Sequence, residues 1–162
     1  MARDEERDEE EHEAHVEGCG LAKERRERAV LVGVDRPGST WPLASSLAEL
    51  ERLVDTAGAD VAAVTTQKLD APNPRTFVGS GKAEEGAELA RAHAADLVVF
   101  DDELTPSQQS NLEKVVGKEV KVIDRTALIL DIFALHATSK EGRLQVRLAQ
   151  NEYLLPRLRG MW

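Results

Sequence analysis

Four consecutive residues, Gly79-Ser80-Gly81-Lys82, have the make-up of an anion-binding turn. Glycines let a backbone approach a ligand closely, and free amides at the start of a helix attract negative charge. Lys82 adds a mobile cation, and Arg75 lies nearby in sequence. Together they could hold a phosphate of RNA or of a nucleotide; a plain turn with a solvated lysine explains the same residues equally well. The turn is not a Walker A loop, which needs Gly-x-x-x-x-Gly-Lys followed by Ser or Thr. Ala83 follows Lys82, so the hydroxyl that would hold Mg²⁺ is missing.

A second set of candidates is basic. Lys140, Arg143 and Arg147 are spaced to share one helix face, and Arg157 and Arg159 follow. Such a stripe can neutralise phosphates; its bland alternative is a solvated helix face opposite a leucine seam. Asp101-Asp102-Glu103 follows an apolar run, where sites collect in open α/β sheets. Three carboxylates there could bind Mg²⁺ or form a solvated loop before a helix cap. His12, His15, His93 and His136 show no ligand spacing, and Ser39 and Thr40 lie in a Pro-Gly turn without a nearby base. No metal site and no nucleophile–base set is expected.

The elements that would carry these residues alternate. Ala29–Val34, Asp60–Thr66, Asp96–Phe100 and Glu119–Ile123 read as strands. Between them, helices are expected over Leu43–Ala57, with Ser45 or Ser46 as cap and Gly58 beyond the end, over Lys82–Ala94, and over Thr105–Val116. Thr105 caps the last of these, Pro106 opens it and Gly117 ends it. Alternation of this kind predicts an α/β fold: a small parallel sheet of about four strands with covering helices. After Ile123 the alternation stops. Asp124 caps an apolar helix to about Ala137, Gly142 sits in a turn, and a second helix runs to about Leu155 with Pro156 at its end. Leu144, Leu148, Asn151 and Leu155 form a heptad-like seam, so a C-terminal two-helix hairpin is expected, with Asn151 a buried polar member. The division is therefore an acidic tail over 1–28, an α/β subdomain over 29–123 and a helical hairpin over 124–162.

Composition bounds the rest. The chain has 162 residues, 41% of them apolar but only 4% aromatic, so the core must be aliphatic. Residues 1–28 hold eleven acids against six bases, and residues 140–162 hold five bases against two acids. The chain is thus polarised, although its formal net charge is −9. The tail lacks the large apolar residues that offset ordering entropy and reads as disordered. A single cysteine, Cys19, excludes an internal disulfide. No secretory leader or membrane-spanning run is visible, so a cytoplasmic location with no membrane partner is expected; the chain is expected to be a monomer.

Several long motifs carry a resemblance to a known family. They are Asn73–Glu85, Val99–Gln108, Asn111-Leu112-Glu113, Ile123–Phe133 and Leu144–Leu158. In this order they resemble the N-terminal region of the HflX family of ribosome-associated GTPases, over roughly residues 30–162. The resemblance implies an α/β subdomain, a helical hairpin and then a Ras-like GTPase domain in cis, which has no positions in this sequence. It further implies binding to the large ribosomal subunit and its rRNA, near the peptidyl-transferase region, and splitting or rescue of stalled ribosomes under stress. GTP and Mg²⁺ are implied for the missing GTPase domain, and no cofactor for this chain. Gly86, Asn151 and the pair Leu135-His136 depart from the family pattern. The alternative is a stand-alone nucleotide-binding or weakly ATP-hydrolysing α/β domain.

Overall fold

Val30, Val32 and Val34 bury their side chains on one side of the first strand, and Ala29 and Leu31 on the other. A strand covered on both faces must be apolar at successive positions, which is why this segment reads as a continuous run. The computed structural model describes residues 25–158. Within them, β1 (Glu27–Asp35), β2 (Ala59–Lys68), β3 (Leu97–Phe100) and β4 (Lys121–Asp124) form one sheet in the order β2-β1-β3-β4. Every pairing is parallel. The helices are α1 (Leu43–Thr56), α2 (Ser80–Ala92), α3 (Pro106–Val116), α4 (Arg125–His136) and α5 (Lys140–Leu158).

Two cores flank the sheet. Leu50 and Val54 of α1 and Leu128 and Ile132 of α4 pack with Ala29, Leu31, Leu97 and Val99. Ala83 and Ala90 of α2 and Leu112 of α3 pack with Val30, Val32, Val98, Phe100 and Val122. The α/β architecture with its covering helices and C-terminal helix pair is as expected. The helix α4 has a second role, because it covers the sheet as well as forming one arm of the hairpin.

Local chemistry explains most boundaries. Thr105 accepts a hydrogen bond from the Gln108 amide, Gln108 reaches back to the Thr105 amide, and Pro106 opens α3. Gly58 and Gly117 take φ of 91° and 97°, where a side chain would be strained. Other boundaries differ from the sequence reading. β1 begins at Glu27, inside the segment assigned to the tail, and residues 1–24 lie outside the described residues. Neither Ser45 nor Ser46 caps α1: Pro42 holds that position, and the Ser46 hydroxyl instead donates to Asp101 at 2.5 Å. Gly142 lies in the first turn of α5, where a Cβ would come within 2.8 Å of the Ser139 Oγ that accepts its amide. Pro156 does not end α5, which runs on to Leu158.

The largest difference concerns the seam. Leu144, Leu148 and Leu155 are 60%, 60% and 64% exposed, and Asn151 is exposed with them. The apolar stripe of α5 faces away from the rest of the described chain. The helix docks by its other side, through Gln150, Tyr153 and Arg157.

Candidate functional site

The carboxyl ends of β1 and β3 lie side by side at the point where the strand order reverses, since β2 lies on one side of β1 and β3 on the other. Open α/β sheets place ligands at such a point. A concavity of about 640 Å³ opens there, lined among others by Asp35, Arg36, Trp41, Asp70, Asp102 and Arg125. Of the three expected carboxylates, Asp101 and Asp102 are each held by a guanidinium group, and Glu103 is exposed. Arg125 Nη2 donates to Asp101 Oδ1 at 2.6 Å, and Arg125 Nε donates to the same oxygen at 3.0 Å. Arg36 donates to Asp102 at 3.0 Å and lies 5.7 Å from the centre of the Phe77 ring. Burial pushes the Asp102 carboxyl above its ordinary range, against the pull of Arg36. Asp101 thus braces the sheet end against α1 and α4.

The Gly79–Lys82 turn forms the start of α2. Gly79 is the N-cap in an extended conformation, with no side chain capping the helix. Its own amide is taken by Gln67 Oε1 at 2.9 Å. Lys82 is not a solvated cation: Nζ lies 2.5 Å from Glu85 Oε2 and 3.3 Å from Thr65 Oγ1, and its side chain is 19% exposed. The hydrogen bond from Lys82 lowers the Glu85 pKa. The charge of Lys82 is therefore balanced inside the helix, while Ser80 and Gly81 stay at the open helix end. Arg75 is exposed on the preceding loop, which closes through paired backbone bonds between Asn73 and Phe77 at 2.9 and 2.8 Å. Phe77 takes a φ of 65°, a left-handed conformation that side chains rarely adopt. Arg75, Ser80 and Lys114 share a concavity of about 480 Å³ between α2 and α3. Lys114 was not singled out from the sequence; it follows directly on the Asn111-Leu112-Glu113 motif, whose Asn111 donates to the Arg75 carbonyl at 2.9 Å.

On α5 the structure brings Lys140, Arg143 and Arg147 to one concavity of about 360 Å³, with Ala134 of α4 across from them. Leu144 lines the same concavity, so the basic stripe borders the leucine seam and does not lie opposite it. Arg143 Nε donates to the Ala137 carbonyl at 3.3 Å, and the three cations are otherwise exposed. Arg157 does not belong to this stripe. It turns toward the sheet domain, where Nη2 donates to the Leu104 carbonyl at 2.5 Å and its guanidinium carbon stands 3.5 Å from the centre of the Tyr153 ring. Arg159 lies outside the described residues. Tyr153 donates in turn to Asp124, and burial together with that carboxylate raises the phenol well above its usual range. His93 closes α2 and accepts from Arg28 through its carbonyl at 2.9 Å; His136 ends α4, exposed.

Two family models match the sequence of this chain. The model of the GTP-binding GTPase N-terminal region matches residues 44–134, and that of the GTP-binding GTPase middle region matches residues 136–162. The chain belongs to the HflX family of GTPases. It is 49% identical over 137 residues to GTPase HflX of Flavobacterium psychrophilum, covering 84% of this chain and 33% of that protein. It is 50% identical over 116 residues to GTPase HflX of Escherichia coli strain K12, covering 72% and 27%. The chain therefore spans about a third of the length of these HflX relatives. In fold it is similar to the crystal structure of a GTP-binding protein from Sulfolobus solfataricus in complex with GDP, with a TM-score of 0.63 at 24% identity. That likeness covers 83% of this chain and 39% of the other. Among the described residues no helix is long and apolar enough to cross a membrane.

Proposed function

We propose that this chain is the ribosome-recognition module of an HflX-type GTPase. It binds the large ribosomal subunit through rRNA phosphates held on α5, as part of splitting or rescuing stalled ribosomes in the cytoplasm. The observation that carries this reading is the stripe Lys140, Arg143 and Arg147. In a chain of formal charge −9, Arg25, Arg26, Arg36, Lys82, Lys121 and Arg125 are all spent in ion pairs. Other exposed cations, among them Arg52, Lys68, Arg91 and Lys118, also lack a carboxylate partner among the described residues; what sets the three stripe cations apart from these is that they stand together around one concavity. Arg75 and Lys114 form a weaker second patch beside Ser80 at the open end of α2, weakened further by Glu84 on the same concavity. GTP and Mg²⁺ belong to the GTPase domain that follows in cis, and this module acts as a monomer without a cofactor.

Pelleting of the chain with purified large subunits over a salt series tests the reading. Three phosphate contacts give a log–log slope of about 2 to 2.7, from roughly 0.7–0.9 per contact. Replacing Arg143 and Arg147 by Gln should flatten that slope by about 1.4 to 1.8. Unchanged affinity and slope in the double variant would make the stripe a solvated face.

A second reading, a nucleotide-binding α/β domain acting by itself, is favoured by the concavity at the sheet's switch point and the exposed Trp41 on its rim. Its charge weighs against a polyphosphate: Asp35, Asp70, Asp101 and Asp102 face only Arg36 and Arg125, which already serve Asp102 and Asp101. A saturable change of Trp41 fluorescence with ATP, in a Trp162→Phe background, would support this second reading.

A further inference from the structure

We infer that Tyr153 and Arg157 form a latch that fixes the direction of α5 against the carboxyl end of the sheet and so positions the Lys140/Arg143/Arg147 stripe. The functional half of this statement rests on the phosphate-binding reading of the stripe; the structural half does not.

Full burial of side chains does not hold α5. No residue of the helix is buried, and its leucines face solvent. Apolar packing, which fastens α4 through Leu128 and Ile132, is limited on α5 to the half-buried Val146 and Ala149 and the Tyr153 ring. Its tie at the N-terminal side is the short connection 137–139, helped along the helix by the exposed bond from Gln150 to Asp131 at 3.2 Å.

The C-terminal side is held by a polar knot. Asp124 is fully buried and accepts the amides of Leu104 and Ala127, each at 2.9 Å. A buried carboxylate has more acceptor capacity than two amides fill, and leaving it unfilled is costly. The Tyr153 hydroxyl supplies the further donor. Arg157 lies over the Tyr153 ring, donates to the Tyr153 carbonyl at 2.9 Å and reaches the Leu104 carbonyl at 2.5 Å. Asp124 ends β4 and caps α4, and Leu104 leads into α3. Two side chains of α5 thus grip the junction of three elements.

Freed of this grip, α5 pivots about its N-terminal connection. Arg147 sits about 12 Å from that pivot, at 1.5 Å per residue, so a swing of about 20° carries it roughly 4 Å. That exceeds what a charge-assisted hydrogen bond to a fixed phosphate tolerates. Tyr153 and Arg157 are accordingly positioning residues, remote from the phosphates they help to bind.

Hydrogen exchange of the Tyr153→Phe chain tests the latch without RNA. The variant keeps the ring under Arg157 and changes no charge. Amides of α5 should exchange about tenfold faster, with β1 and β3 unaltered. Large-subunit affinity should fall by a similar factor with its salt slope preserved, because the same phosphates are neutralised once the helix is seated. Unchanged exchange in α5 would overturn the latch. Faster exchange with unchanged subunit affinity would retain the latch as a structural tie and overturn its positioning of the stripe. If Tyr153→Phe loosens the sheet as well, Arg157→Lys decides, since it keeps the charge but loses the fork and the stacked plane. Faster exchange confined to α5 then supports the latch, and an equal rise in the sheet overturns it.

Discussion

Removing the Arg125 side chain should be among the most damaging single changes in the α/β unit. The side chain of Asp101 is 6% exposed and that of Arg125 is 21% exposed, so water reaches the pair only from one side. Arg125 gives Asp101 two bonds, at 2.6 and 3.0 Å, and gives the Ser46 carbonyl a third at 2.8 Å. In Arg125→Met the carboxylate keeps the Ser46 hydroxyl but loses its only ion-pair partner among the described residues. Breaking a buried pair from one side costs about 3–5 kcal/mol. The neighbouring contact from Arg125 to Glu49, at 3.2 Å, is exposed and adds well under about 1 kcal/mol. Against a total stability of roughly 5–15 kcal/mol, the loss brings the α/β unit close to its unfolding limit. Urea melts followed by circular dichroism give the value directly; with a slope of about 1.5 kcal/mol per molar, the midpoint falls by about 2–3 M. The double variant Arg125→Met/Asp101→Leu should recover most of the loss, because an apolar pair of similar volume needs no desolvated partner. A loss below about 1 kcal/mol in the single variant would refute the reasoning and mean that solvent neutralises Asp101.

Other consequences are smaller. Asp102 has a raised pKa, so the folded state holds its proton more tightly than the unfolded chain; its ionisation lowers stability as pH rises above the ordinary carboxylate value near 3.8. Asp102→Asn should remove that part of the decline, and melts at acid and neutral pH compare the two slopes; identical slopes would exclude Asp102 as the source. Asn151→Leu should leave the thermal midpoint almost unchanged, because the seam it completes is exposed; a clear rise would mean that the seam is covered in solution.

What the sequence could and could not disclose follows from the range of each interaction. The cap at Thr105, the opening Pro106 and the stop at Gly117 act within a few residues, so their partners stand next to them in the chain. β1 is legible because burial on both faces forces an apolar run whatever its neighbours are. The basic stripe is legible too, since Lys140, Arg143 and Arg147 fall on one face by helical spacing alone. Spacing shows that a helix has an apolar stripe; it does not show what, if anything, covers it. The Leu144/Leu148/Leu155 seam therefore reads as a buried interface, although the tertiary structure docks α5 by its other side.

The same limit governs single side chains. Lys82 and Arg157 are basic residues near promising motifs, yet one is spent on Glu85 and the other on Leu104 and Tyr153. The bonds of Arg125 to Ser46 and Asp101, and of Arg157 to Leu104, join residues far apart in the chain, and nothing in local periodicity encodes them. By itself the sequence determined the fold class, the order of the elements, most caps and the charge polarity, because each is written in composition or short-range spacing, while the family rests on the resemblance of its long motifs. Only the tertiary structure decided which cations stay free, which carboxylates are buried and which face of α5 meets the sheet. Those depend on long-range packing, where a neighbour's desolvation sets whether a charge is paired or exposed.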